Sequence, residues 1–283
     1  MEPPSFFPPS DLLSDPLVSV GLTALTAQAG YYAAQWMLGG REGRAKAAVG
    51  FEKTLIAAVI FGLALAVPAL LSIGINTFLD LANIDKTKLT IYSLLTTKDY
   101  TQFSRNIQLA LEAAARIYAR YFDEARNSLA AFFGAVTGTG VLPWTQALSM
   151  AIVNVMTVAV SVLGSVLVSA AVYGVAAAVA KGWPAFMPLG ALLITHERSR
   201  NIGALLLAVG SVMPVVLALG ADVVYHLAPP RSVTWEHLLG IVGPVWDVVK
   251  AMVMLGLVGV AATALTYAFT KIFDEVGSHF SID

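Results

Sequence analysis

The chain contains no cysteine. Disulfides, thiol chemistry and cysteine-ligated metal are therefore excluded, while the redox compartment stays unread. Charge is nearly as scarce. Charged residues make up 12% of 283 positions, against about 25% in a soluble domain. A chain so poor in charge could not coat its own surface in water, so lipid must be the solvent for much of it. A basic excess is missing too: the net charge of −1 and a pI near 6.4 argue against a dedicated nucleic-acid-binding domain, though not against a local basic patch. There is no nucleotide loop, zinc-protease helix or nucleophile elbow. The expectation is a non-enzyme with no cofactor and no metal centre. The N-terminal stretch, rich in Pro3, Pro4, Pro8 and Pro9 and acidic at Glu2, Asp11 and Asp15, lacks the positive region of a cleaved signal peptide. It reads as an extended external tail over residues 1–16.

What is present is apolar: 57% of the residues are hydrophobic and the mean hydropathy is +0.74. The implied fold class is all-α, a polytopic transmembrane helical bundle, because roughly 20 helical residues cross the hydrocarbon core. Two spans are expected over 17–79. The first, near Leu17–Leu38, is the least hydrophobic, carrying Thr23, Thr26, Gln28 and Gln35. A charged turn holding Arg41, Arg44, Lys46 and Lys53 separates it from a second span, Thr54–Leu79, with Pro68 near its middle.

The segment 80–143 is different. It carries Lys86, Lys88, Lys98, Arg105, Arg116, Arg120 and Arg126 and is read as external. Asp99 and Gln102 suggest a capped helix start. Phe103, Ile107, Leu111, Ala114, Tyr118 and Tyr121 or Phe122 then recur at spacings of three and four, the signature of an amphipathic helix.

The region 144–273 is expected to hold one long tilted helix, a short or re-entrant helix near Phe186–Thr195, and two further spans, about Ile202–Val224 with Pro214 at mid-depth and Ala251–Thr270. That makes about five spans, with 274–283 as a cytoplasmic tail. With the N-terminus outside, Arg41, Arg44, Lys46, Lys53, Lys181, Arg198, Arg200 and Lys271 all fall inside, as the positive-inside rule asks.

Several residues invite a functional reading beside a plainer one. Arg105, Arg116, Arg120 and Arg126 could contact a polyanion such as DNA, or form a solvated face with pairs such as Glu112–Arg116. Pro68 and Pro214 each free a carbonyl inside the membrane, as a hinge, a conduit-lining kink or a static packed kink. Asp247 and Lys250 can pair at i, i+3, as membrane ionisable groups do at functional sites or simply at an interface, and Asp222 takes the same interfacial reading. Ser161, Ser165, Ser169, Ala170, Gly174 and Ala178 form small-residue stripes that let helices approach closely. His226, Glu236 and His237 could gather near one face, but loop polarity accounts for them without a metal.

Gly190-Ala-Leu-Leu, the turn ending Arg198-Ser-Arg200, then Asn201-Ile-Gly203-Ala-Leu-Leu-Leu and Pro214 together resemble a known family. These are the polytopic membrane subunits of type IV secretion, the TrbL-type conjugation proteins and the CedA proteins of crenarchaeal DNA exchange. The layout resembles theirs over most of the chain: external N-terminus, five spans, a large external segment after the second, internal C-terminus. The resemblance implies a homo-oligomeric, ring-forming base of a translocation channel embedded in lipid. It would work with small membrane subunits and a separate ATPase, and DNA would be the transported substrate. The cysteine-free, alanine- and valine-rich composition is compatible with an archaeal source. A secondary transporter or small-solute channel is the competing expectation, and a structural scaffold or pore-forming lysis protein a third.

Overall fold

A computed structural model describes residues 15–81, 83–95, 103–139, 146–233 and 243–279, and every helix or strand assigned among them is a helix. In chain order these are α1 (Pro16–Leu38), α2 (Gly40–Leu81), a 3-10 turn (Lys86–Lys88), α3 (Thr90–Leu95), α4 (Phe103–Thr139), α5 (Gln146–Ala180), α6 (Trp183–Leu193), α7 (Arg200–Leu227) and α8 (Gly243–His279). The all-α bundle is as expected. Asp99, Gln102, Glu236, His237 and the tail before Asp15 lie outside the described residues.

Among the described residues four helices are long and apolar enough to cross a membrane: Gly40–Leu81, Thr157–Ala180, Arg200–Leu227 and Trp246–Ser278. The expected first span, α1, is not one of them. Its threonines and glutamines dilute its apolar content. A second correction concerns Arg41–Lys53, expected as a charged turn. The stretch is helical and opens α2. Lys46 and Glu42 pair at 2.8 Å across one turn, a helix-compatible spacing. The actual turn is a single step at Gly39–Gly40, where Gly40 takes φ +26, a backbone that residues with a Cβ rarely adopt.

α7 forms the centre. In its most apolar stretch 72% of residues are buried inside the protein, against 22–31% for the other three spans. α7 packs on α8, α6, α4, α2 and α5, so the other three spans, the short α6 and the amphipathic α4 close around it. The outer faces of α5 and α8, with Val168, Val172, Val175, Leu257 and Val260 exposed, are chemically suited to lipid.

Ion pairs mark both ends of the bundle. At one end Lys53 meets Glu197 at 3.1 Å and Arg200 meets Asp274 at 2.9 Å. At the other, Asp80 meets Lys86 at 2.7 Å and Arg231 meets Asp247 at 3.2 Å. Along α2 from Lys53 to Asp80, and along α8 from Asp247 to Asp274, the two ends lie roughly 27 residues apart, which at ~1.5 Å each is about 40 Å. A bilayer with its headgroups is about 40–45 Å thick. The charged ends thus have the spacing of two membrane surfaces.

The α1–α2 hairpin does not share that frame. Gly21 lies against the Phe61 ring and Gly50 against Tyr32, which fixes an antiparallel register. That register sets Asp15 near Val67, halfway up α2, and carries the α1–α2 tip beyond the Lys53–Glu197 pair. α1 therefore covers only half the bundle height and overhangs one end.

α6 is the short helix expected. It does not enter and leave by one side. Met187 packs on Gly210 and Gly190 on Gly203, so α6 runs antiparallel to α7 and its first residue, Trp183, stands opposite Pro214. α6 begins at mid-height and ends at the Arg200 end of α7. It continues the descent of α5 after a break at Lys181–Gly182. Lys181, expected beyond the spans, sits in that break beside the middle of α7.

Candidate functional site

The site is built on α4. At 100° per residue Ile107, Ala110, Leu111, Ala114, Tyr118, Tyr121, Ala125 and Phe132 share one face, and all are buried. The same period sets Arg105, Arg116 and Arg120 on the opposite face and Arg126 on its flank, and all four are exposed. The apolar face packs most extensively on α5 and also on α7.

Polar contacts at four levels fix α4 in place. At its start, the Ser104 N–H donates to Asp15 Oδ2 at 3.0 Å, and the Ser104 hydroxyl donates to the same oxygen. Asp15 is buried, so a carboxylate borrowed from the start of α1 serves the first turn of α4. Midway, the Tyr118 hydroxyl donates to the Leu217 carbonyl of α7 at 2.9 Å, and its ring stands edge-on to Tyr173 of α5, 5.6 Å between centroids. One turn later the Tyr121 hydroxyl donates to the Ala228 carbonyl. Beyond that, the Val233 N–H donates to Ser128 Oγ at 2.8 Å.

These anchors set the height of α4. Asp15 lies opposite the middle of α2, Leu217 is in the half of α7 that holds Asp222, and Val233 lies past the end of α7. α4 therefore climbs obliquely, from the mid-height of the bundle to beyond its Asp222 end. The expected wholly external segment is corrected in part: the first half of α4 lies alongside the spans. Arg105 and Arg116 consequently stand on an exposed face within the span height.

The arginines differ in their partners. Arg116 pairs with Glu112 at 2.6 Å and Arg126 with Asp123 at 3.8 Å. Arg120 Nη1 donates to the Tyr225 hydroxyl at 3.4 Å. Arg105 joins no ion pair among the described residues. Glu112, Asp123 and Glu124 lie on the same side of α4 as the four arginines, so the face keeps an excess of one positive charge.

The other expected residues are dispersed. Pro214 is buried inside α7 and packs within the chain, while Pro68 is half-buried in α2. Asp247 pairs first with Arg231 and reaches Lys250 at 4.0 Å. The small-residue stripe of α5 divides. Ala170 is buried and Gly174 faces the Tyr118 Cβ at 3.8 Å, whereas Ser161, Ser165 and Ala178 are exposed. Ser161 and Ser165 donate to carbonyls of their own helix, Thr157 and Ser161, at 2.8 and 2.9 Å. No group of three possible metal ligands occurs among the described residues.

The structural roles of two carboxylates, Asp15 read as part of an extended tail and Asp222 read as interfacial, are not those the sequence suggests. Besides Asp15, buried Asp222 accepts from the N–H groups of Ile91 and Tyr92 at 2.7 and 3.0 Å, holding α3 against α7. The signal was present for Asp222, a lone acid in an apolar helix, but its partner backbone lies some 130 residues away.

No family model, curated protein or solved structure matches the chain. Its membrane-embedded character rests on its own four apolar helices.

Proposed function

We propose that this chain is a subunit of a membrane translocation machine for a polyanion, DNA in the reading the family resemblance favours. Copies assemble so that the arginine face of α4 borders a shared, water-filled passage, and a separate ATPase drives transport. One observation carries this. α4 presents Arg105 and Arg116 on an exposed face within the height of the spans, while its other face is locked to α5 and α7. Arg116 is paired with Glu112, but Arg105 joins no ion pair among the described residues, and a bare guanidinium against hydrocarbon costs several kcal/mol or more, so charged residues at such depth face protein or water-filled cavities. The protomer is packed around α7, so the water has to lie between copies. Four cations along one helix then suit phosphate, which is contacted without regard to sequence. The secondary-transporter alternative would need a polar site at mid-depth; the groove there, beside Met213 and Leu217 of α7 and Gly256 and Gly259 of α8, is lined mostly by apolar side chains, and buried Pro214 packs within the chain.

In this proposal the Asp222 end faces outside and the Arg200 end the cytoplasm, which leaves Arg41, Arg44, Lys46, Arg198 and Lys271 inside. The absence of cysteine makes the test direct. Arg105→Cys, Arg116→Cys and Val175→Cys would be made singly and the protein reconstituted in vesicles. A membrane-impermeant maleimide is expected to label the first two within minutes and to spare the valine position, which faces lipid. Protection of both arginine positions, at the level of the valine control, would remove the passage from this face.

A further inference from the structure

The overhanging α1–α2 hairpin and the turn between α6 and α7 enclose a groove of about 740 Å³ at the Arg200 end. Its walls include Tyr31, Tyr32, Lys46, Lys53, His196 and Arg198. Three permanent cations stand there; Glu197 engages Lys53 at 3.1 Å and Glu42 engages Lys46 at 2.8 Å, which leaves Arg198 as the excess charge. Arg198 is exposed and joins no ion pair among the described residues, and Lys46 is largely exposed while leaning on Glu42. The volume lies within the ~300–1,000 Å³ typical of ligand pockets.

We infer that this groove holds the headgroup of an anionic phospholipid, with Arg198 and Lys46 on the phosphate and the Tyr31–Tyr32 pair against the glycerol region. Position selects a lipid over a soluble anion. The groove opens beside Lys53, Glu197 and Arg200, the level at which α7 begins and the apolar part of α2 ends. That is where headgroups of one leaflet lie if the two charged ends mark the bilayer surfaces. The tyrosines agree, since amphipathic rings gather at the headgroup level of membranes. Tyr31 and Tyr32 meet edge-on at 5.4 Å, and Tyr32 also approaches Phe51 at 6.4 Å, so the aromatic wall is held by both helices of the hairpin. The lipid would bridge the hairpin to the rest of the bundle. At this end the protein's own bridge includes Lys53–Glu197, the hydrogen bond from Gln28 to Thr195 and the packing of α1 on α6, beside the packing of α2 on α6 and α7.

The experiment uses the full chain purified in a neutral detergent. Phosphatidylglycerol and phosphatidylcholine would be titrated separately and bound lipid counted by native mass spectrometry. Wild type is expected to prefer phosphatidylglycerol. The double variant Lys46→Ala/Arg198→Ala should weaken that binding by about 30-fold, or about fivefold for each cation removed. Lys88→Ala, at the opposite end, should leave it unchanged, and equal helicity of all three proteins shows that folding is intact. Equal binding of the two lipids, or an unaltered double variant, would overturn the assignment. Displacement of phosphatidylglycerol by millimolar inorganic phosphate would overturn it differently, by making the occupant a soluble anion. None of these outcomes depends on whether α4 lines a passage.

Discussion

Tyr118 shows how much a single side chain settles in a membrane protein. Its ring fills the junction of α4, α5 and α7, and its hydroxyl finds the Leu217 carbonyl because an unbonded O–H is costly where water is absent. Tyr118→Phe keeps the ring and removes the donor. It is expected to cost about 1 kcal/mol, the usual net worth of one hydrogen bond. Asp15→Ala is expected to cost a similar ~1–2 kcal/mol by leaving the Ser104 N–H without its acceptor. Both would be read as shifts in the detergent unfolding curve, and a neutral Asp15→Ala would show that α4 needs no borrowed cap. Residue by residue, the sequence was legible where period decided the matter. The buried face of α4 followed from spacings of three and four. The partners of Asp15, Asp222 and Tyr118 did not follow, since each lies some 90–130 residues away and is chosen by the tertiary fold.

At the scale of elements, the closest approach is between α6 and α7. A Cβ on Gly190 would stand 2.9 Å from the Gly203 carbonyl oxygen, and one on Gly203 would stand 2.6 Å from the Ile194 nitrogen. Two backbones in contact leave nothing flexible to give way, so Gly203→Leu should part the helices and lower stability by ~1–3 kcal/mol or more. A cysteine pair placed at Met187 and Gly210, which now touch, should cross-link in the parent chain and fail to cross-link beside Gly203→Leu. Undiminished cross-linking would mean that α6 tolerates displacement. Sequence reasoning found α6 from the length of its apolar run, though it set the start at Phe186 and not at Trp183. It misjudged the role, because a ten-residue apolar run looks the same whether it re-enters or continues a broken span. The opposite error occurred at Arg41–Lys53, where charge density suggested a turn although alanine, lysine and glutamate favour helix. At Gly174 the expectation of a free packing stripe meets Tyr118, so bulk there would disturb the chain's own interior before it reached another copy.

For the whole molecule, the two charged ends about 40 Å apart, at ~1.5 Å per residue over roughly 27 residues, turn a list of helices into an oriented slab. Hydropathy had supplied the spans, yet it could not supply their heights, which depend on which residue of one helix meets which of another. Those heights change the meaning of α4. As a free external helix its arginines would be ordinary surface charge; alongside the spans they need polar partners, which Glu112 supplies to Arg116 and no described carboxylate supplies to Arg105. If copies share a passage lined by that face, rings of Arg105 and Arg116 should favour anions, as charged rings set selectivity in other pores. The reconstituted protein is expected to conduct anions over cations. Arg105→Glu/Arg116→Glu, which changes the face by four charges per copy, should reverse that preference, read as a change in sign of the reversal potential under a salt gradient. Lys271→Glu on the outer face of α8 serves as the control and should leave the sign alone. A double variant with the selectivity of the parent would place these arginines outside the permeation path, and the assembly would then have to carry its substrate along some other surface.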